Sequence, residues 1–304
     1  MLLAAIDIGS NAVRLFFSNV YEKENKIIAE KASLLRIPLR LGEDVFRTGK
    51  ISEEKCQKLI KTINAFGLLL EVYNPVEFKA IATSAMREAE NSIEVLEKIK
   101  SQTGIELELI DGNKEASLIS AFNDIRFKGK HNLSMFIDVG GGSTEISVLK
   151  NDTYVDSNSF KIGTVRFLND KVKDNEWKKL KNWLKQFEKE YGNILCIGSG
   201  GNINKLTKLY GQIPENVLSY ENLKNGIKDL KKYTLDERIK TLGLRPDRAD
   251  VIIPAGKIFK FILKHTNSSF IYAPKIGLPD GIVIVLYKDL IEKQKHNNAN
   301  LTSQ

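Results

Sequence analysis

Ile137-Asp138-Val139-Gly140-Gly141-Gly142-Ser143-Thr144-Glu145 is the stretch on which the reading of this chain turns. An apolar strand ends in an aspartate, three glycines reverse the chain, and hydroxyl residues lead into a second apolar strand. A run of glycines lets backbone N–H groups converge on an anion, because no Cβ stands in the way. An ordinary hairpin does not need three of them. The same pattern occurs earlier as Ala5-Ile6-Asp7-Ile8-Gly9-Ser10-Asn11, and the two aspartates lie 131 positions apart, a domain's length. Two similar domains, each offering one such turn, would set the turns face to face across a cleft. Asp7, Asp138 and Glu145 are the acids beside the turns, and hard oxygens next to a phosphate cradle suit Mg2+.

Outward from the hairpins the chain alternates. Leu2–Ile8, Ala12–Val20 and Lys26–Arg36 are expected strands. Ser52 is placed to cap a helix in which Leu59, Ile60, Ile63, Phe66, Leu69 and Leu70 recur at helical spacing. Val76–Ala82 and Glu106–Ile110 suit strands; helices are expected from an Asn91 cap to Gly104 and over Glu115–Ile125. The second half repeats the scheme, with strands at Leu133–Val139, Thr144–Leu149, Tyr154–Phe160, Ile194–Ile197 and Phe270–Ala273. Its helices are expected at Glu176–Tyr191, Ile203–Tyr210, Tyr220–Lys231, Leu235–Leu242, Arg248–Lys264 and Asp280–Glu292, with a polar tail over Lys293–Gln304 that frays. This is an α/β pattern that restarts halfway.

Composition narrows the function. The 304 residues suffice for about two domains, and 42% hydrophobic with 28% charged residues is ordinary for a globular protein. No apolar run approaches the ~18–20 residues of a membrane span. Leu2–Ile6 is short and has no basic residue before it, unlike a leader peptide, so a cytoplasmic protein is expected. Cys56 and Cys196, far apart in sequence, are expected to be buried thiols in a reducing compartment. His131, His265 and His296 are isolated, and neither HExxH nor paired CxxC occurs, which argues against zinc. Net charge is −1 over residues 1–150 and +9 over residues 151–304. Such a lopsided field suits a polyanionic partner or a lysine-rich solvated face such as that around Lys181 and Lys185. No basic stretch is interleaved with aromatics, so nucleic acid is not expected, nor is a membrane.

Other phosphate-binding motifs fail. GxxxxGK[ST] is absent, and Gly198-Ser199-Gly200-Gly201-Asn202-Ile203 has Ile203 where a dinucleotide fingerprint needs glycine. Gly200 and Gly201 are expected in a strand-to-helix turn whose N–H groups face an anion.

One ordered set of motifs resembles a known family. It comprises Asp7-Ile8-Gly9-Ser10-Asn11-x-x-Arg14-Leu15, Ala82-Thr83-Ser84-Ala85-Met86-Arg87, Gly112-x-x-Glu115-Ala116, Ile137–Glu145, Gly198–Gly201, Arg248–Gly256 and Gly277-Leu278-Pro279-Asp280-Gly281. Together these resemble the exopolyphosphatase/guanosine pentaphosphate phosphatase (Ppx/GppA) family, from Leu3 to about Val285. The resemblance implies an actin-like fold: two ribonuclease-H-like domains, residues 1–122 and 123–285, around a cleft, with a C-terminal helix over about 286–304 packing back on the first. It implies Glu115 as the catalytic base, phosphate binding by Gly9, Ser10, Asn11, Arg87, Gly140, Gly141, Gly142, Ser143 and Thr144, and Mg2+ held by Asp138 and Glu145. The residues themselves add Arg14, Gly200 and Gly201 as expected phosphate contacts and Asp7 as an expected metal ligand.

Three departures stand out. Lys114 replaces the first of the family's usual Glu-Glu pair, Ala12 replaces a small hydroxyl residue, and the sequence has no segment matching the helical HD-type domain of longer members. The expected activity is release of terminal phosphate from inorganic polyphosphate, with pppGpp 5′-phosphohydrolysis as the alternative. An actin-like ATP-binding protein and a catalytically silent polyphosphate or alarmone sensor are the readings of another class. A homodimer is compatible with all of them.

Overall fold

The computed structural model describes residues 1–24, 26–120, 131, 133–151 and 153–301. The first half holds β1 (Leu2–Ile8), β2 (Val13–Lys23), β3 (Lys26–Ile37), α1 (Leu41–Thr48), α2 (Glu53–Tyr73), β4 (Glu77–Ala82), α3 (Ser84–Glu88), α4 (Ser92–Thr103), β5 (Glu108–Leu109) and α5 (Gly112–Ser120). The second holds β6 (Leu133–Val139), β7 (Thr144–Lys150), β8 (Thr153–Phe160), α6 (Thr164–Leu168), α7 (Asp174–Tyr191), β9 (Ile194–Ser199), α8 (Gly201–Tyr210) and β10 (Val217–Ser219). It continues through α9 (Tyr220–Leu230), α10 (Leu235–Lys240), α11 (Pro246–Ala249), α12 (Ile252–His265), β11 (Phe270–Tyr272) and α13 (Leu278–Leu301).

The strands form two sheets, ordered β3-β2-β1-β4-β5 and β10-β11-β9-β6-β7-β8. In each, the opening meander is antiparallel and the later strands pair parallel, except β10, which is antiparallel to β11. Set β3-β2-β1-β4-β5 beside β8-β7-β6-β9-β11 and order and sense agree, with β10 an added edge. The repeat in the sequence is thus a repeat of topology, and the expected duplicated α/β architecture is the one observed.

Apolar side chains on both faces of β1 explain its uninterrupted hydrophobic run, since alternate residues point to opposite faces. Ile6 and Ile8 pack with Leu59, Ile63 and Phe66 of α2. Leu3 and Ala5, on the other face, join Phe136, Leu195 and Ile197 of the second sheet and Ile282, Val283 and Tyr287 of α13. A separate core under the second sheet joins Met135, Ile137 and Ile146 to Leu180, Ile203 and Phe259.

Several expectations need correction. α13 runs to Leu301, beyond the expected end at Glu292, so the polar tail does not fray from Lys293. Once its apolar first turns are anchored, extension adds a hydrogen bond for each residue ordered. The helix expected over Arg248–Lys264 is two helices. Pro254 has no N–H to donate toward Asp250 and crowds that carbonyl, which fits a break there. Asn91 does not cap α4; its amide exchanges two hydrogen bonds with the Ile51 backbone instead. Ser52 does cap α2, accepting from Lys55 N–H. The strand expected over Glu106–Ile110 is only Glu108–Leu109. Of the helix expected over Glu115–Ile125, residues 121–125 lie outside the described residues, as does the expected domain boundary at 122/123. Both cysteines are free and buried. Among the described residues, no helix is long and apolar enough to cross a membrane.

Candidate active site

The β1–β2 and β6–β7 hairpins turn in the same way. Gly9 N–H donates to Ala12 O at 3.1 Å, and Gly140 N–H to Ser143 O at 2.9 Å. The turns abut. A Cβ on Gly141 would stand 2.8 Å from Ser10 Cβ, and one on Gly142 would stand 2.3 Å from both Phe46 and Ser84. None of these turn glycines has a positive φ. They are needed for close approach, and part of what approaches is the opposite half of the protein.

Helix α6 takes the carbonyls of the second turn. Thr164 N–H binds Gly140 O at 2.9 Å, Val165 N–H binds Gly141 O at 2.8 Å, and Arg166 Nε binds Gly142 O at 2.7 Å. Arg166 also reaches Glu88 of α3 at 2.6 Å, tying the halves together. Among the described residues, no hydrogen bond takes the N–H of Gly141, Gly142 or Ser143.

Register sets the acids. Asp138 faces Glu145 across β6–β7, Ser199 on β9, and Glu145 faces Ser159 on β8. Ser199 Oγ donates to Asp138 Oδ1 at 2.5 Å and Ser159 Oγ to Glu145 Oε1 at 2.9 Å. Glu115 arrives from α5, whose start is fixed by the Asp111 carboxylate accepting from Lys114 N–H at 2.8 Å, an N-cap arrangement. Carboxylate oxygens of Glu115, Asp138 and Glu145 lie within 4.8 Å of one another.

Glu115 is 6% and Glu145 1% exposed, and one buried oxygen of each, Oε2, has no hydrogen-bond partner. Burial, reinforced by the charges of Glu145 and Asp138, holds the Glu115 carboxyl well above its usual range. Burial pushes Glu145 up to about 7, with the Ser143 and Ser159 hydroxyls pulling the other way and Asp138 adding to the rise. Burial also raises Asp138, against Ser199 and Arg14. Three crowded carboxylates, two of them with an orphaned oxygen, fit a hard divalent cation.

The first hairpin differs. Asp7 is engaged in an ion pair with Arg14, its neighbour across the strands, and does not belong to the acidic cluster. Asp7 is expected from the sequence to join Asp138 and Glu145 around a metal; it lies outside the acidic cluster, whose third carboxylate is Glu115. Arg87 donates to Ile110 O at 2.8 Å and lies 3.7 Å from Glu115, but does not line the cleft. Thr144 is fully buried and its hydroxyl donates to Ile162 O at 2.5 Å, so it is not presented to a ligand.

Between the hairpins runs a cleft of about 220 Å³. Of the site residues expected from the sequence, Gly9, Ser10, Asn11, Arg14, Gly140–Ser143, Gly200, Gly201, Glu115, Asp138 and Asp7 line it, and Glu145 does not. Gly200 (φ +89°) gives its N–H to Ile276 O at 3.0 Å, not to the cleft. Over Gly201 lies the Arg248 guanidinium, 2.2 Å from where a Cβ would be. Burial and the nearby Arg36 charge lower the Arg248 pKa to about 10. Lys31, Arg36, Arg248 and Lys275 are further cations of the lining. Arg248 stood inside a quoted motif without a role, and Lys31, Arg36 and Lys275 had no sequence signal, since the strand and turn geometry that gathers them is not local.

A duplicated α/β protein of the actin-like class, with a cationic cleft and an acidic cluster at the meeting of its two Gly-rich turns, is what fold and site define. Residues 20–290 match the Ppx/GppA phosphatase family, and the chain belongs to that family of enzymes. It is 31% identical to a bifunctional 3-dehydroquinate synthase/phosphatase of Fusobacterium nucleatum over 89% of this chain, which spans 44% of that relative's length. It is 25% identical to exopolyphosphatase 1 of Mycobacterium tuberculosis, covering 93% of this chain and 88% of that one. Among solved structures, the Aquifex aeolicus Ppx/GppA family member matches with a TM-score of 0.72 at 25% identity, over 96% and 98% of the two chains.

Proposed function

We propose that this chain releases terminal phosphate from inorganic polyphosphate by hydrolysis of a phosphoanhydride. The observation that carries the reading is the cluster of buried Glu115 and Glu145 with half-buried Asp138, at the edge of a cleft lined by arginines and lysines. A cationic cleft recruits a polyanion, and Glu115, Asp138 and Glu145 would hold a divalent cation that, when bound, would neutralise charge on the group being transferred.

The terminal phosphoryl group lies against the amides of Gly141, Gly142 and Ser143, with Arg14 and Arg248 within the same cleft. Preorganised donors of this kind supply most of the stabilisation in phosphoryl transfer. Glu115 accepts a proton from water as the water oxygen bonds to phosphorus. The bridging P–O bond breaks, and the shortened chain leaves with the electron pair. A carboxylate whose basicity is raised by burial suits this role. The two domains are taken as residues 1–122 and 123–285, with the part of α13 beyond about residue 286 closing on the first.

Release of orthophosphate from polyphosphate, pppGpp and ATP, with and without Mg2+, tests the reading. Mg2+-dependent release from polyphosphate is the expected result. Preference for pppGpp would move the substrate to the alternative that a similar Photobacterium profundum protein's name suggests: guanosine-5′-triphosphate,3′-diphosphate pyrophosphatase, 23% identical over 98% of this chain and 61% of that one. Release from none would leave a sensor.

A further inference from the structure

We propose that Ser159 and Ser199 are positioning residues for the acidic cluster: each serine fixes one oxygen of an acid so that the carboxylate is presented to a cation. The inference rests on the metal-assisted reading above.

Four residues stand in one row across the second sheet: Ser199, Asp138, Glu145 and Ser159, on β9, β6, β7 and β8. Residues directly opposite on neighbouring strands point to the same face. The two acids are the inner pair and the two serines the outer pair. Each serine hydroxyl donates to the acid beside it, at 2.5 Å for Ser199 and 2.9 Å for Ser159. The hydroxyl of Ser159 takes Glu145 Oε1 and the Ser143 hydroxyl also acts on this carboxyl, while Glu145 Oε2 is buried with no hydrogen-bond partner. A carboxylate pinned at one oxygen has one orientation, and the other oxygen stays available.

Ser159 has a second contact with the cluster. A Cβ on Gly112 would stand 2.2 Å from Ser159 Cβ and 2.5 Å from its Oγ. Gly112 opens α5, and Glu115 follows three residues later. The absence of a side chain at Gly112 therefore lets the helix that carries Glu115 seat against the residue that orients Glu145. In the matching row of the first sheet, Ile81 and Arg36 occupy the outer places, and neither is a hydroxyl donor. Hydroxyls flank the acids only in the row that holds two acids. Partners of this outer kind change metal affinity by about 10–100-fold when removed.

The test is direct Mn2+ binding to the whole protein without substrate, read from the electron paramagnetic resonance of free Mn2+. Wild type is compared with Ser159→Ala, Ser199→Ala and Asp138→Ala, and thermal unfolding is recorded without metal. We expect each serine variant to bind Mn2+ about tenfold or more weakly while unfolding at nearly the wild-type temperature, and its phosphate release to recover at high Mg2+. Wild-type Mn2+ affinity in both serine variants, with binding lost in Asp138→Ala, would overturn the positioning role and leave the metal site standing. No Mn2+ binding by wild type, or binding untouched by Asp138→Ala, would remove the metal reading and this inference with it. Should one serine variant fail to fold, the other carries the same prediction.

Discussion

At its cleft end the first sheet carries the row Ile81, Asp7, Arg14, Arg36, and the second carries Ser199, Asp138, Glu145, Ser159. The backbone is the same, down to the hydrogen bond that closes each turn. The charges are opposed. In the first row an aspartate is neutralised by the arginine opposite, and the next arginine, Arg36, reaches across to Asp247 of the other half. In the second row two acids lie side by side and a third, Glu115, joins them. On the function proposed above, the duplicated scaffold carries two kinds of site: a cationic wall for an anion and an acidic pocket for a cation. The rows share only the aspartate: Arg14 stands where the other hairpin has Glu145, and Arg36 and Ile81 stand where it has Ser159 and Ser199.

The largest expected effect falls on the second hairpin. Glu115→Gln should lower phosphate release by ~10²–10⁴, the usual cost of losing a general base, while substrate affinity stays within a few-fold. Near-wild-type turnover would take Glu115 out of that role.

Paired variants test the contrast between the rows. Asp138→Ala should raise the Mg2+ concentration for half-maximal activity at least about tenfold, the lower end of what even an outer partner contributes. Arg14→Gln should leave the Mg2+ titration in place and weaken substrate binding instead. Equal shifts in the two titrations would erase the distinction.

A smaller effect concerns chain length. The cleft cations Arg14, Lys31 and Arg36 come from the first half, and only Arg248 and Lys275 come from the strongly basic second half. The lysines of α7 do not line the cleft, and Lys179 is paired with Glu176 at 2.7 Å. Long polyphosphate should therefore lose affinity with salt more steeply than short chains, because exposed contacts are screened over a Debye length of about 8–10 Å. Lys31→Gln and Lys275→Gln should flatten that difference by a few-fold, whereas Lys181→Gln and Lys185→Gln should not. Competition binding at two ionic strengths decides.

The smallest effect is on stability. Burial raises Asp280, at the start of α13, to about 6, although its acceptance from Gly277 N–H and the charges of Lys31 and Arg14 pull the other way. A carboxyl raised above its unfolded value favours the folded state at low pH, and that contribution is lost as pH rises through about 6. Asp280→Asn keeps an acceptor for Gly277 and should be more stable than wild type at pH 8, by at most about 2 kcal/mol and read as a higher unfolding temperature, the gain shrinking toward pH 5. A constant gap across that range would exclude Asp280 as its source.

Much of this was legible in the sequence, because the deciding features are local. Leu133–Val139 appears as a strand with the expected bounds, and the spacing of seven residues from Asp138 to Glu145 places them opposite each other in a hairpin. The same spacing from Asp7 to Arg14 forms the ion pair that withdraws Asp7 from the cluster, a consequence hidden until the strands are paired. Thr144 looked like a phosphate ligand from its neighbours, but strand alternation turns its hydroxyl into the core. The short helices α1, α3 and α6 left little periodicity to detect, yet α3 and α6 join the halves beneath the turns. Lys31, Arg36 and Arg248 reach the cleft through contacts between distant segments, which no local pattern encodes.

The central claim is that equivalent hairpins have diverged into an anion wall and a cation pocket. Anomalous diffraction from crystals of the whole protein soaked with Mn2+ tests it directly. The account predicts a Mn2+ peak bounded by the carboxylates of Glu115, Asp138 and Glu145, and none beside Asp7 and Arg14. A peak at Asp7, or none at the acidic cluster under saturating Mn2+, would contradict it.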